Sequence, residues 1–268
     1  MENTIKFEKV SFAGRMKSML KVDFRRMLRS KLFYILIACA LVIPILMTVM
    51  MSMMDGQESV NQQTGEITIM EGPENVWQNI GTLPGDPLGG DEIFMMCNVN
   101  MAFMGVCVFV CLFISDDFRS GYAKNLFTVR VKKGDYVISK TLAGFVCGAL
   151  MLIAYFLGAV IGGAASGLSF DLCGLTAGNL LMCMLAKIFL MPVFVSIFTL
   201  ISIAARQRAW LSVCGSLGGG MLFFMTVSMI TPLSSTLINV LLCMACGVIF
   251  AFGLGAVSRS VLNKASLV

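Results

Sequence analysis

The sequence predicts an all-α integral membrane protein, six transmembrane helices preceded by an N-terminal amphipathic interfacial (elbow) helix, with both termini cytoplasmic. Three observations predict it. Of 268 residues, 57% are hydrophobic and 13% charged, about half the charged share of an ordinary soluble domain. The apolar residues gather into runs long enough to cross a bilayer, which takes about 20 residues. The basic residues are segregated, 19 of the 20 Lys and Arg falling on one set of connections.

Residues 1–31 form the first region, a cytoplasmic N-terminus. Within it Phe12, Met16, Met19, Leu20, Phe24, Met27 and Leu28 recur at helical spacing, while Arg15, Lys17, Lys21, Arg25, Arg26 and Arg29 occupy other faces. A basic amphipathic helix of this pattern lies in the headgroup plane, its charges toward anionic lipid. Arg15, Lys21, Arg25, Arg26 and Arg29 are therefore assigned to the membrane interface.

Residues 32–268 form a six-helix transmembrane domain, with spans at about 32–54, 93–114, 142–163, 180–204, 210–230 and 237–257. The connection 55–92 carries eight acids and no base. The segments that hold the 19 basic residues are the N-terminus, 115–141, the link after the fourth span and the C-terminal tail. The excess of Lys and Arg on one side places that side in the cytoplasm and makes 55–92 an extracellular loop. Within it 66–70 reads as a strand and 74–80 as a short helix. The loop's negative charge has two readings, attraction of a cationic substrate and a plain consequence of the topological charge bias.

The cytoplasmic segment 115–141 carries a pattern of its own. Ser115 is placed to cap a helix with Asp116 and Asp117 in its first turn. Phe118, Tyr122, Leu126 and Val129 follow along one face, and a basic cluster (Arg130, Lys132, Lys133) precedes a Gly134-Asp135 turn. Such an apolar stripe needs a partner, either the bilayer surface or another protein.

Absences narrow the chemistry. The chain has no histidine, so no Ser-His-Asp or Cys-His set can be assembled. The ten cysteines lie almost all in apolar stretches and read as small packing residues; no metal site and no catalytic residue is assigned. No GxxxxGK[ST] loop occurs, so no P-loop cradles a nucleotide.

The 115–141 segment and the six-span topology together resemble the permease subunit of an ABC transporter of the type-2 exporter class. In that family the loop after span two carries an acid, a glycine four residues on, a Pro-x-x-Arg, and a lysine seven residues after the arginine. Asp117, Gly121, Lys133 and Lys140 stand at matching spacing, with Arg130 at the proline position and lysine in place of arginine at 133. The resemblance implies ATPase coupling through Asp117, Phe118, Gly121, Tyr122, Lys132, Lys133 and Lys140. It implies that ATP and Mg are bound by a separate ABC ATPase present in two copies, with no cofactor on this chain. It further implies a second permease, a copy or a paralogue, and outward movement of a drug, peptide or lipid-like amphipathic substrate by alternating access. The family is common in bacteria and no N-x-S/T sequon occurs, so a bacterial cell membrane is the expected location. Nucleic acid is not a partner, since lipid and topology account for the net charge of +5.

Inside the spans one charge stands out. Lys187 lies well within the fourth span, either lining the translocation cavity or snorkelling outward, and Pro192 kinks the same helix. These two are the substrate-pathway candidates. Gly144/Gly148, Gly158/Gly162 and Gly247/Ala251/Gly255 are spaced by four, allowing close helix approach within one chain or at a dimer seam. A secondary transporter or channel not driven by ATP is the alternative class. Such carriers usually place carboxylates in their spans, and these six runs hold none. A membrane enzyme would lack acid–base groups at membrane depth.

Overall fold

A computed structural model describes residues 11–60, 67–69, 72–82, 98–129 and 132–264. Parts of the predicted N-terminal region, of loop 55–92, of span 93–114 (residues 93–97) and of segment 115–141 (Arg130 and Val131) lie outside the described residues.

The N-terminal amphipathic pattern forms α1 (Phe12–Arg29). Ser11 caps it, its hydroxyl accepting from the Gly14 N–H at 3.3 Å. Extended Ser30 ends the helix, and α2 (Lys31–Met54) begins at the next residue. A two-stranded antiparallel hairpin follows, β1 (Glu58–Val60) and β2 (Ile67–Ile69), with Val60 opposite Ile67. The 3-10 turn Val76–Asn79 is closed by a capping box between Asn75 and Gln78. The chain then forms α3 (Met101–Arg119), α4 (Tyr122–Val129), α5 (Lys133–Ser166), α6 (Ala177–Ala205), α7 (Ala209–Ile230) and α8 (Leu237–Lys264). The strand and the turn fall within the stretches 66–70 and 74–80 expected from sequence.

Five of these helices, α2, α3, α5, α6 and α8, are long and apolar enough to cross a membrane. The sixth predicted span, 210–230, coincides with the helix α7, which is not among these five. Taken with α7, the long helices alternate in direction between a basic end, which holds α1 and α4, and an acidic end, which holds the hairpin and the 3-10 turn. Apolar burial concentrates on α3, α5 and α6; α2 and α8 leave most of their apolar faces exposed, as lipid-facing helices do.

Three sequence expectations are corrected at the basic end. Ser115 is no helix cap, because it lies inside α3, which continues past residue 114 to Arg119. Asp116 and Asp117 consequently sit in the last turn, where the helix dipole disfavours acids, and neighbouring cations offset that cost. The stripe from Phe118 to Val129 is likewise broken in two. Gly121, at φ +76°, takes a left-handed conformation that glycine adopts without steric cost, so Phe118 lies in the last turn of α3 and Tyr122 begins α4. Similarly α5 starts at Lys133, nine residues before the predicted span.

The small-residue pairs pack within the chain. A Cβ at Gly144 would meet Val195 at 2.7 Å and Val110 at 2.9 Å, and one at Gly148 would meet Met191 at 2.7 Å. Gly158 and Gly162 let α5 close on α2 around Pro44 and Ile45, and Gly247 lets α8 approach the Phe189 carbonyl of α6. Replacing Gly158 with leucine is expected to cost about 1–3 kcal/mol or more through overpacking, because even a Cβ would fall 2.6 Å from Pro44 Cγ. The same replacement at Gly253, which has open space around it, is expected to leave thermal stability in detergent unchanged.

At the acidic end the 3-10 turn plugs the bundle. Val76 and Ile80 are fully buried. The Trp77 indole donates to the Phe170 carbonyl at 3.2 Å, and Asn79 donates to Thr48 at 3.2 Å. Loop 55–92 is thus anchored to α2 and to the α5–α6 connection.

Candidate functional site

The site grows from one residue out of keeping with its surroundings. The buried stripe of α1 is Met16, Met19, Asp23 and Met27, an apolar seam with a carboxylate in the middle. Asp23 is fully buried against α5. One of its oxygens takes a 2.7 Å ion pair from Lys140 Nζ and the other accepts from the Ser139 hydroxyl at 2.5 Å. Lys140, itself fully buried, reaches Asp117 Oδ2 on α3 at 2.7 Å. Asp117 Oδ1 pairs with Arg26 Nη1 of α1 at 2.5 Å, and Asp117 Oδ2 accepts from the Tyr136 hydroxyl at 3.0 Å.

Two carboxylates and two cations therefore close a charge-balanced knot that ties α1, α3 and α5 together. Aromatic rings wall it off. Lys140 Nζ lies 4.1 Å from the Phe113 ring centre and 5.3 Å from that of Tyr136; the Arg26 guanidinium stacks 4.4 Å over Tyr122, the first residue of α4. Cations over aromatic faces gain more when desolvated. Burial works against the charged Arg26 guanidinium, yet the charge of Asp117, its hydrogen bond, and Asp23 outweigh it and raise its pKa above the ordinary arginine value. A second, shallower tie joins Arg15 of α1 to Asp135 of α5 at 2.9 Å.

The sequence-assigned residues separate by position. Of the coupling set, Asp117 and Lys140 are in the knot and Phe118 is buried beside Tyr136, ring centres 6.4 Å apart. Tyr122 and Lys133 are half-buried, Lys133 donating to the Leu262 carbonyl of α8 at 2.8 Å, and Lys132 is exposed. Gly121 forms the hinge before α4. Of the interfacial cations, Lys21, Arg25 and Arg29 are exposed, whereas Arg15 and Arg26 turn inward to acids. Asp23, Ser139 and Tyr136 carry no assignment in the sequence reading. Asp23 had a visible signal, an acid on the apolar stripe of an otherwise basic helix.

Lys187 occupies a second polar cluster. It is fully buried, its ammonium donating to Asn100 Oδ1 and Thr231 Oγ1, both at 2.9 Å. Asn100 stands just before α3 and donates in turn to Ser228 at 2.9 Å; Thr231 stands just after α7. The lysine thus reaches toward the acidic end and stops inside the protein, joining α3, α6 and α7. Pro192 packs against α8, 3.5 Å from where a Cβ on Gly247 would lie. The structure does not bring the two substrate-pathway candidates together. Asn100 and Thr231 were missed because each lies at a helix end, where nothing in one sequence points to a distant lysine.

Helices of membrane length, sorted charges at their two ends and buried ions pinning an amphipathic helix to them define a multi-pass membrane protein. Residues 19–222 match the family model described as ABC-2 family transporter protein, and the chain belongs to that family. Its members are membrane components of transporters, not catalysts themselves, and normally work with an ABC ATPase. No curated protein and no solved structure matches the chain.

Proposed function

We propose that the chain is the permease subunit of an ATP-driven exporter, moving a drug, peptide or lipid-like amphipathic substrate outward by alternating access. The observation that carries this reading is the setting of α4. It is an eight-residue helix held at the basic end between two membrane-length helices, with exposed Lys124 upon it and Lys132 beyond it. The basic end is cytosolic by the positive-inside rule, α1 is the elbow helix in the headgroup plane, and α7 completes six crossings.

Two ABC ATPases, binding ATP and Mg, dock beneath a pair of such permeases in a bacterial cell membrane. Closure of the ATPases on nucleotide displaces α4. Gly121 lets α4 tilt, while Asp117 before it and Lys140 after it are fixed to Asp23 and Arg26. A push on α4 is therefore shared by α1, α3 and α5, which move as one body, the kind of rigid element a two-state transporter needs.

The test is co-purification. Lys132→Glu with Lys133→Glu is expected to weaken capture of the co-expressed ATPase at least about tenfold, equal to ~1.4 kcal/mol of lost charge complementarity. Lys133→Gln is the control for the hydrogen bond to Leu262. Full capture by the double charge reversal would remove the basic flank of α4 from the interface.

A further inference from the structure

A cavity of about 620 Å³ opens at the basic end between the close of α3, the start of α4 and the α6–α7 turn. Arg119, Lys124, Arg206 and Arg208 line it. All four are exposed, and among the described residues none of them pairs with a carboxylate. Arg208 precedes α7 without a side-chain cap for the helix, so the positive end of that helix adds to the field. Arg206 is held at φ +53°, a conformation that costs a non-glycine residue strain.

A separate groove of about 270 Å³ adjoins the cavity, with Arg119 and Gln207 lining both. The groove runs between Leu32 of α2 and Phe109, Leu112 and Phe113 of α3, with Ser30, Ser115 and Asp116 at its polar mouth. Asp116 is partnered by Arg26 at 3.7 Å. Trp210, 69% exposed, stands beside the cations where the apolar part of α7 begins. Exposed tryptophan marks the headgroup level of a membrane.

We propose that this cavity and groove form a binding site for an anionic phospholipid. The phosphate headgroup is taken by Arg119, Arg206, Arg208 and Lys124, and an acyl chain lies along Phe109, Leu112 and Phe113. Basic pockets between transmembrane helices recognise anionic headgroups in this way. A surface for an acidic protein would have cations without an apolar groove leading down the span faces. Arg119, Arg206 and Arg208 lie outside α4, so lipid binding through these three does not require an ATPase docked there.

The test is lipid retention by the full chain purified in detergent, read by native mass spectrometry with phosphatidylglycerol, phosphatidylcholine or inorganic phosphate added. Wild type is expected to retain phosphatidylglycerol over phosphatidylcholine and to lose it about fivefold per cation removed in Arg119→Gln, Arg208→Gln and their combination. Arg206→Gly removes a cation from a backbone that glycine suits, so it separates loss of binding from loss of fold. Lys264→Gln, at an exposed position that lines neither the cavity nor the groove, is expected to leave retention unchanged. Equal retention of both lipids, unchanged retention in the Arg119, Arg206 and Arg208 variants, or full displacement by millimolar phosphate would overturn the proposal. So would variants that lose a co-purified protein while keeping the lipid.

Discussion

Replacing Lys140 with methionine is expected to destabilise the protein by about 3–5 kcal/mol, the cost of stripping one partner from a buried ion pair. The size follows from what remains. Asp23 and Asp117 are both fully buried, and only Arg26 would be left to balance them. Asp23→Asn combined with Lys140→Met removes one charge of each sign, leaves the Asp117–Arg26 pair intact and preserves a partner for the Ser139 hydroxyl. The double variant is therefore expected to be more stable than Lys140→Met alone, measured as the thermal midpoint in detergent. A double variant no better than the single one would mean that Lys140 acts by packing, not by charge balance.

The second large effect is expected at Asn100. Asn100→Leu takes away one of two acceptors of the Lys187 ammonium and also the donor to Ser228. Lys187 has no carboxylate partner among the described residues, so the loss strands a charge at membrane depth, costing about 3 kcal/mol on insertion scales. Asn100→Leu combined with Lys187→Met removes the stranded charge and is expected to recover most of the stability. If Asn100→Leu alone is as stable as wild type, the lysine does not depend on this cage and reaches another acceptor.

These two clusters show where the sequence was readable and where it was not. Helix identity followed from apolar runs, and small-residue spacing followed from helix geometry, so α2, α6 and α7 stand close to their predicted places. Helix ends did not follow. Hydropathy stops at the first charged residue, but Asp116, Asp117, Tyr136 and Lys140 continue α3 and α5 because their charges and hydroxyl find partners inside the protein. The motif positions Asp117 and Lys140 were singled out by spacing, whereas their burial depends on Asp23 and Arg26, more than ninety residues away in the chain. A single sequence carries no sign of that pairing. The same holds for Lys187, whose two acceptors stand at the start of α3 and the end of α7.

The knot also gives the interfacial helix a meaning beyond topology. A basic amphipathic helix needs only lipid to hold it, and Lys21, Arg25 and Arg29 lie exposed on α1. Arg15 and Arg26 instead fasten α1 to the helices flanking α4. In the proposed mechanism α1 is thereby part of the moving body, its basic face sliding in the headgroup plane as α3 and α5 shift.

The most direct measurement of that claim is nucleotide-dependent transport by the Asp23→Asn, Lys140→Met double variant, reconstituted with its ATPase after its folding and ATPase binding are verified. With the knot reduced to a single pair, the account predicts that ATP hydrolysis continues while transport per ATP falls. Transport per ATP equal to wild type in a variant that is folded and ATPase-bound would contradict it, because force from α4 would then reach the membrane helices without the knot.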